Sequence, residues 1–215
     1  MRITTPYILG LTGGLASGKS TVSGFFRDAG AVVIDADALV HQLQKAGTPE
    51  TQAIADQAGR DVLDANGDID RQVLAQKVSA RQDLLPFLES VLHPAVQREE
   101  KKLIQAAVSR GDKLVVLDVP LLFEAGSHKH CDSVALCHAP LEIRKERALS
   151  RGNMTEEKWK TLLARRWPDE DALKAADHII KTDIPEAQTR EDVERLVICL
   201  KKTSPHAFKK HWEVI

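Results

Sequence analysis

Gly13-Gly14-Leu15-Ala16-Ser17-Gly18-Lys19-Ser20 decides the fold of this chain. The stretch fits G-x-x-x-x-G-K-[ST], and its flanks supply the context that the motif needs. Tyr7-Ile8-Leu9-Gly10-Leu11-Thr12 before it reads as a short buried strand. Lys19 through Ala29 after it reads as a helix with Val22, Phe25 and Phe26 on one face. Strand, glycine-rich loop and helix make a phosphate-binding loop. Its backbone N–H groups and the helix N-terminus converge on an anionic oxygen, and the helix dipole adds partial positive charge there. Gly13, Gly14, Leu15, Ala16, Ser17 and Gly18 are therefore candidate triphosphate contacts. Lys19 has the reach for the β- and γ-phosphates, the Ser20 hydroxyl can ligate Mg2+, and Thr21 is placed to meet the α-phosphate.

Working outward, Ala31-Val32-Val33-Ile34-Asp35, Leu114-Val115-Val116-Leu117-Asp118 and Ser133-Val134-Ala135-Leu136-Cys137 are further apolar runs, and His178-Ile179-Ile180 is a shorter, weaker one. Nearly continuous apolar runs suit parallel strands covered on both faces. Helical patterns separate them, so the fold class is α/β with a parallel sheet. Two insertions interrupt the alternation. Residues 38–110 show no good strand; Leu84, Leu85, Leu88, Val91 and Leu92 mark an apolar helix face, and Pro94 predicts a kink or break near His93. Residues 140–170 form a second, arginine-rich insertion. That leaves residues 1–37, 111–139 and 176–202 as the core of a single domain spanning 1–215. The tail from Thr203 to Ile215 is polar and mixed, and is expected to fray.

Bulk properties exclude several classes. The 215 residues suffice for one sizeable α/β domain. Lys plus Arg (30) nearly equals Asp plus Glu (31), so no global field favours nucleic acid or an anionic membrane. No apolar run approaches the ~20 residues needed to span a bilayer, and the glycine-broken N-terminal stretch belongs to the first strand rather than to a signal peptide. Cys131, Cys137 and Cys199 form no C-x-x-C pair, which suits a reducing cytoplasm. Cys137 and Cys199 lie in apolar runs and read as small core residues.

Other residues could carry chemistry. Asp35-Ala36-Asp37 closes the second strand, where ligands of open α/β sheets bind. In an extended segment both carboxylates would project to one side. One of them would cap the following helix; Asp37 is preferred as the base that takes a proton from an acceptor hydroxyl. Asp118 ends an apolar run, as an acid does that holds Mg2+ through a bridging water, or caps a turn before Pro120. Val119-Pro120-Leu121-Leu122-Phe123-Glu124 is an apolar strand exit suited to lining a cleft. Arg144, Arg147 and Arg151 fall along one helix face, with Arg165 and Arg166 following. They form either a solvated surface or a lid that sets guanidinium groups over a transferring phosphoryl group. Asp64-Ala65-Asn66-Gly67-Asp68 is a poor calcium loop, because Ile69 and Ala75 stand where Gly and Glu belong. His128, His130 and Cys131 lack a fourth metal donor and read as loop residues.

Taken in order, Gly10-Leu11-Thr12-Gly13-Gly14, Ser17-Gly18-Lys19-Ser20-Thr21, Asp35-Ala36-Asp37, Leu92-His93-Pro94 and Pro120-Leu121-Leu122-Phe123-Glu124 resemble the signature of dephospho-coenzyme A kinases. Gly67-Asp68-Ile69-Asp70-Arg71 and Ala176-Asp177-His178-Ile179-Ile180 resemble further segments of that family. The resemblance implies a P-loop NTPase-type core, a helical acceptor-binding subdomain over 38–110 and a lid over 140–170. It implies Mg2+-dependent transfer of the ATP γ-phosphoryl group to the ribose 3′-hydroxyl of dephospho-coenzyme A. Asp37, Lys19 and Arg147 would be catalytic, with Arg147 and Arg151 matching lid positions on ATP. Asp37, His93, Pro120, Leu121, Leu122 and Glu124 would meet the acceptor; Ser20 and Asp118 would meet the metal. Arg144 and Arg166 stand where the family commonly has glutamine, and Gln97 where it often has arginine. Another P-loop kinase of small metabolites, or a nucleotide-gated regulatory protein, are the alternative readings.

Overall fold

The alternation of apolar runs and helical segments is realised as a five-stranded sheet with helices around it. A computed structural model describes residues 5–152 and 154–213. Strands β1 (Tyr7–Gly13), β2 (Val32–Asp35), β3 (Leu114–Asp118), β4 (Ser133–His138) and β5 (His178–Lys181) lie in the order β2-β3-β1-β4-β5. The helices are α1 (Lys19–Asp28), α2 (Ala36–Leu43), α3 (Pro49–Ala58), α4 (Arg71–Ala80), α5 (Leu84–Arg110), α6 (Leu141–Leu149), α7 (Glu156–Leu163), α8 (Asp169–Ala175) and α9 (Glu186–Leu200). β1 pairs in parallel with β3 and with β4, and β4 with β5. Every residue of β1 is buried, which is why its sequence carries no polar alternation.

The chain divides into two compact units, residues 1–34 with 104–215, and residues 35–103. In the first, Leu9 and Leu11 of β1 share one core with Val22 and Phe26 of α1, Val116 of β3, and Val193 and Val197 of α9. Cys137 belongs to that core, but Cys199 is exposed. It falls between the inward positions Val197 and Leu200 of α9, so an apolar run misreads the helix face. The tail does not fray through its described part. The buried carboxylate of Asp132 accepts from the backbone N–H groups of His206 and Ala207, Phe208 and Trp212 are buried, and Trp212 Nε1 donates to His130 O at 2.8 Å. Three backbone donors, with that of Ile8, converge on Asp132 and anchor the segment. Val214 and Ile215, and the residues before Thr5 that the signal-peptide reading touches, lie outside the described residues.

The second unit buries Ile54, Ala55 and Ala58 of α3, Val62, Ile69, Leu74 of α4, and Leu84 and Leu88 of α5. Leu85, assigned to the same face, is 46% exposed, because one residue turns a helix by about 100°. Pro94 does not break the helix: α5 runs through it from Leu84 to Arg110. Burial of Leu88 before it and Ala95 after it offsets the hydrogen bond that proline removes. The acids of the 64–68 loop hold its turn and tie it to the segment after α2. Asp64 accepts from the N–H groups of Asn66 and Asp68, and Asp68 pairs with Lys45 at 2.6 Å. Among the described residues no helix is long and apolar enough to cross a membrane.

Glu100 of α5 is 7% exposed, and burial pushes its carboxyl from 4.5 up to about 7. Below the lower value both folded and unfolded states are protonated and the group costs nothing. As pH rises between the two values the unfolded chain ionises first and stability is lost; above the upper value the deficit is constant, about 3 kcal/mol. Urea titrations of Glu100→Gln should therefore show a gain of that order near about pH 8 that vanishes near the unfolded pKa.

Candidate active site

The phosphate loop leaves β1 at Gly13 and enters α1 at Lys19. Ser17 N–H donates to Gly14 O at 3.1 Å and closes the loop into a turn. Gly18 takes φ 80°, a left-handed conformation that glycine adopts without steric cost. Ala16 takes φ 58°, and no other non-glycine among the described residues has a positive φ. That strain, of order 1–2 kcal/mol, is held at the loop that the motif assigns to phosphate.

Lys19 Nζ is ion-paired with Asp118 Oδ1. Asp118 ends β3, which lies beside β1 with Leu11 opposite it, and it is only 3% exposed. Two residues that the sequence assigned separately, to phosphate and to metal, are thus brought into contact. Ser20 is exposed in the first turn of α1. A hydroxyl and a carboxylate are hard oxygen donors that fit Mg2+, which keeps several waters and takes its other ligands from phosphates. Among the described residues, no cluster of three or more His, Cys, Asp or Glu is placed to hold a metal ion.

The three arginines of the predicted lid face do not act alike. Arg147 Nη2 donates to the carbonyl of Thr182 at 2.7 Å, and Arg147 and Arg151 line a cavity of about 270 Å3 together with Ala16, Gly18 and Thr21 of the phosphate loop and α1. Arg144 is 1% exposed and points into the protein. Its Nε donates to Ala139 O at 3.0 Å, and its guanidinium pairs with Asp169 and lies against Gly14, where a Cβ would be 1.9 Å from Nη1. The expectation that Arg144 shares one helix face with Arg147 and Arg151, as solvated surface or as lid, is corrected in this respect. Helical spacing sets a common side, but Ala139, Asp169 and the bare Gly14 draw Arg144 inward.

The strand exit after β3 is fastened to the segment after α7. Pro120 O accepts from Thr12 Oγ1 at 3.1 Å and from Arg166 Nη1. Glu124 Oε1 accepts from Trp167 N–H at 3.0 Å, and the Phe123 and Trp167 rings stack at 5.1 Å. Leu122 is fully buried, packed with Phe123, Val134 and Leu136, so its side chain is core rather than cleft lining. A strand exit rich in apolar residues looks alike in either role. Leu121 is exposed.

In the unit of residues 35–103, Asp35 is the cap of α2, its Oδ1 accepting from Ala38 N–H at 3.0 Å. Asp37 is exposed in the first turn of the helix. The premise of an extended Asp-Ala-Asp fails, because α2 begins at Ala36 and helical geometry turns the two carboxylates apart. Capping thus falls to Asp35 and leaves Asp37 available. Asp35→Ala should cost about 1 kcal/mol of stability in chemical denaturation, the usual loss for an N-cap acid. His93 is exposed on α5, and Arg71 contacts His41.

Thr182, Trp167 and Asp169 were not singled out by sequence. Trp167 carried a signal, an aromatic amid charges and next to Pro168; Thr182 and Asp169 carried none, since their roles arise from partners distant in sequence.

A family model for dephospho-CoA kinase matches residues 7–187. The dephospho-CoA kinase of Bartonella henselae is 44% identical over 186 residues, spanning 86% of this chain and 94% of its own length. Among solved structures, TT1252 of Thermus thermophilus superposes with a TM-score of 0.76 at 30% identity, covering 93% of this chain and 99% of that one. Dephospho-CoA kinase from Campylobacter jejuni superposes with a TM-score of 0.69 at 25% identity, covering 91% and 97%. With its motif, sheet and match agreeing over most of its length, the chain belongs to the dephospho-CoA kinase family.

Proposed function

We propose that this protein transfers the γ-phosphoryl group of ATP to the ribose 3′-hydroxyl of dephospho-coenzyme A, giving coenzyme A and ADP. One observation carries the nucleotide half: the phosphate loop and two arginines, Arg147 and Arg151, line the same cavity. The loop N–H groups and Lys19 bind the triphosphate, and the guanidinium groups offset charge on the transferring group. Ser20, and Asp118 by way of water, would hold Mg2+ bound with ATP, and the ion would supply charge neutralisation to the phosphates. Asp37, exposed and relieved of capping, orients the acceptor hydroxyl and takes its proton. Residues 38–110 are assigned to the acceptor, with His93, and residues 140–170 to a lid; Pro120, Leu121 and Glu124 are assigned to the acceptor side. Three cysteines, Cys131, Cys137 and Cys199, odd in number and without a C-x-x-C pair, support a cytoplasmic setting, and the near-zero net charge speaks against a nucleic-acid partner.

The test is ADP release with Mg2+ and ATP across an acceptor panel of dephospho-coenzyme A, adenosine, AMP, CMP and shikimate. Release that depends on dephospho-coenzyme A alone is expected. Release with another member of the panel instead would leave a P-loop kinase and overturn the acceptor assignment; release with none would favour a regulatory protein.

A further inference from the structure

Thr182, the first residue after β5, touches the phosphate loop in two ways and Arg147 in a third. Its Oγ1–H is shared between Ser17 O at 2.7 Å and His138 O at 3.1 Å. Its side chain lies where a Cβ on Gly18 would reach it at 3.4 Å. Its carbonyl accepts from Arg147 Nη2 at 2.7 Å. From these contacts we infer that Thr182 is a positioning residue for ATP, holding the Ser17–Gly18 peptide and Arg147 in register with each other.

The physical reason lies in the peptide unit. A planar trans peptide points its C=O and N–H in opposite directions, and no described peptide here is cis. Fixing the Ser17 carbonyl on Thr182 therefore fixes the Gly18 N–H on the opposite side, away from Thr182. Anion binding by a loop depends on such N–H groups being aimed before the ligand arrives. Gly18, with no side chain and a left-handed φ, is the residue least able to hold that peptide by itself. The hydroxyl supplies the restraint from outside the loop, and Thr182 is itself held by its own N–H on His138 O at 2.9 Å. Through its carbonyl the same residue seats Arg147, so loop and arginine are referenced to one point at the end of β5. The strand end, β4 included, thereby sets the geometry of the site.

The inference rests on the reading of this loop as the ATP site, and its deciding test, nucleotide binding, uses no acceptor, so that failure of the acceptor assignment leaves it intact. Calorimetric titration of MgATP into the parent, Thr182→Val and Thr182→Ser separates positioning from simple packing. Valine keeps the shape and deletes the hydroxyl; serine restores it. Thr182→Val is expected to bind MgATP about tenfold more weakly, and Thr182→Ser within about twofold of the parent. In turnover, the KM for ATP should rise in Thr182→Val while the KM for the acceptor stays put. Parent-like affinity in Thr182→Val, even with a lowered melting temperature, would overturn the inference, as would a Thr182→Ser variant as weak as Thr182→Val.

Discussion

Lys19→Ala is expected to lower turnover by about 10³-fold or more, beyond the 10²–10³ typical of one lost oxyanion donor because Lys19 carries full charge. The structure adds a second consequence. Lys19 is the ion-pair partner of Asp118, whose side chain is almost wholly buried. Removing the lysine leaves that carboxylate unpaired, a change that costs about 3 kcal/mol when one member of a buried pair is deleted. The single variant should therefore be both inactive and less stable. In Lys19→Ala combined with Asp118→Asn the buried charge is gone, so stability should return by most of that amount while turnover stays lost. Denaturant melts read the first effect and single-turnover kinetics the second. A double variant that recovers activity would show that Lys19 acts only through Asp118.

The second large effect is expected at Asp37. Asp37→Asn keeps the size of the side chain and removes its basicity, so kcat should fall by about 10²- to 10⁴-fold, the range for a lost general base. The affinity for MgATP should be unchanged, since Asp37 is not assigned to the nucleotide. Stability should also hold, because Asp35 and not Asp37 accepts the cap hydrogen bond from Ala38. The contrast between neighbours is the informative part. Asp35→Ala lowers stability with little loss of chemistry, and Asp37→Asn does the reverse. Unchanged kcat in Asp37→Asn would remove the base from the scheme.

Much of the fold was legible before the structure. The runs ending at Asp35, Asp118 and Cys137 became β2, β3 and β4 within a residue, and even the short His178-Ile179-Ile180 became a strand. Strands covered on both faces announce themselves by unbroken apolarity. The phosphate loop was legible because its chemistry is local in sequence. What escaped was tertiary. Nothing in the pattern distinguishes Arg144 from Arg147 one turn apart on the same helix, yet one is core beside Gly14 and the other lines the cavity. Their fates depend on Asp169 and on Thr182, residues 25 and 35 positions away. Leu122 read as cleft and proved core for the same reason, and Glu124 and Trp167 found each other across 43 positions. Of the kink or break that Pro94 predicts, the break is absent, since α5 runs through it.

The activity itself is tested most directly by identifying the product. The protein is incubated with Mg2+, ATP and dephospho-coenzyme A, and the product is separated and compared by chromatography and mass with authentic coenzyme A. The account predicts coenzyme A carrying its new phosphate on the ribose 3′-oxygen, formed in equal amount with ADP and absent with Lys19→Ala. ADP formed without coenzyme A, or phosphate placed on any other oxygen, would contradict it.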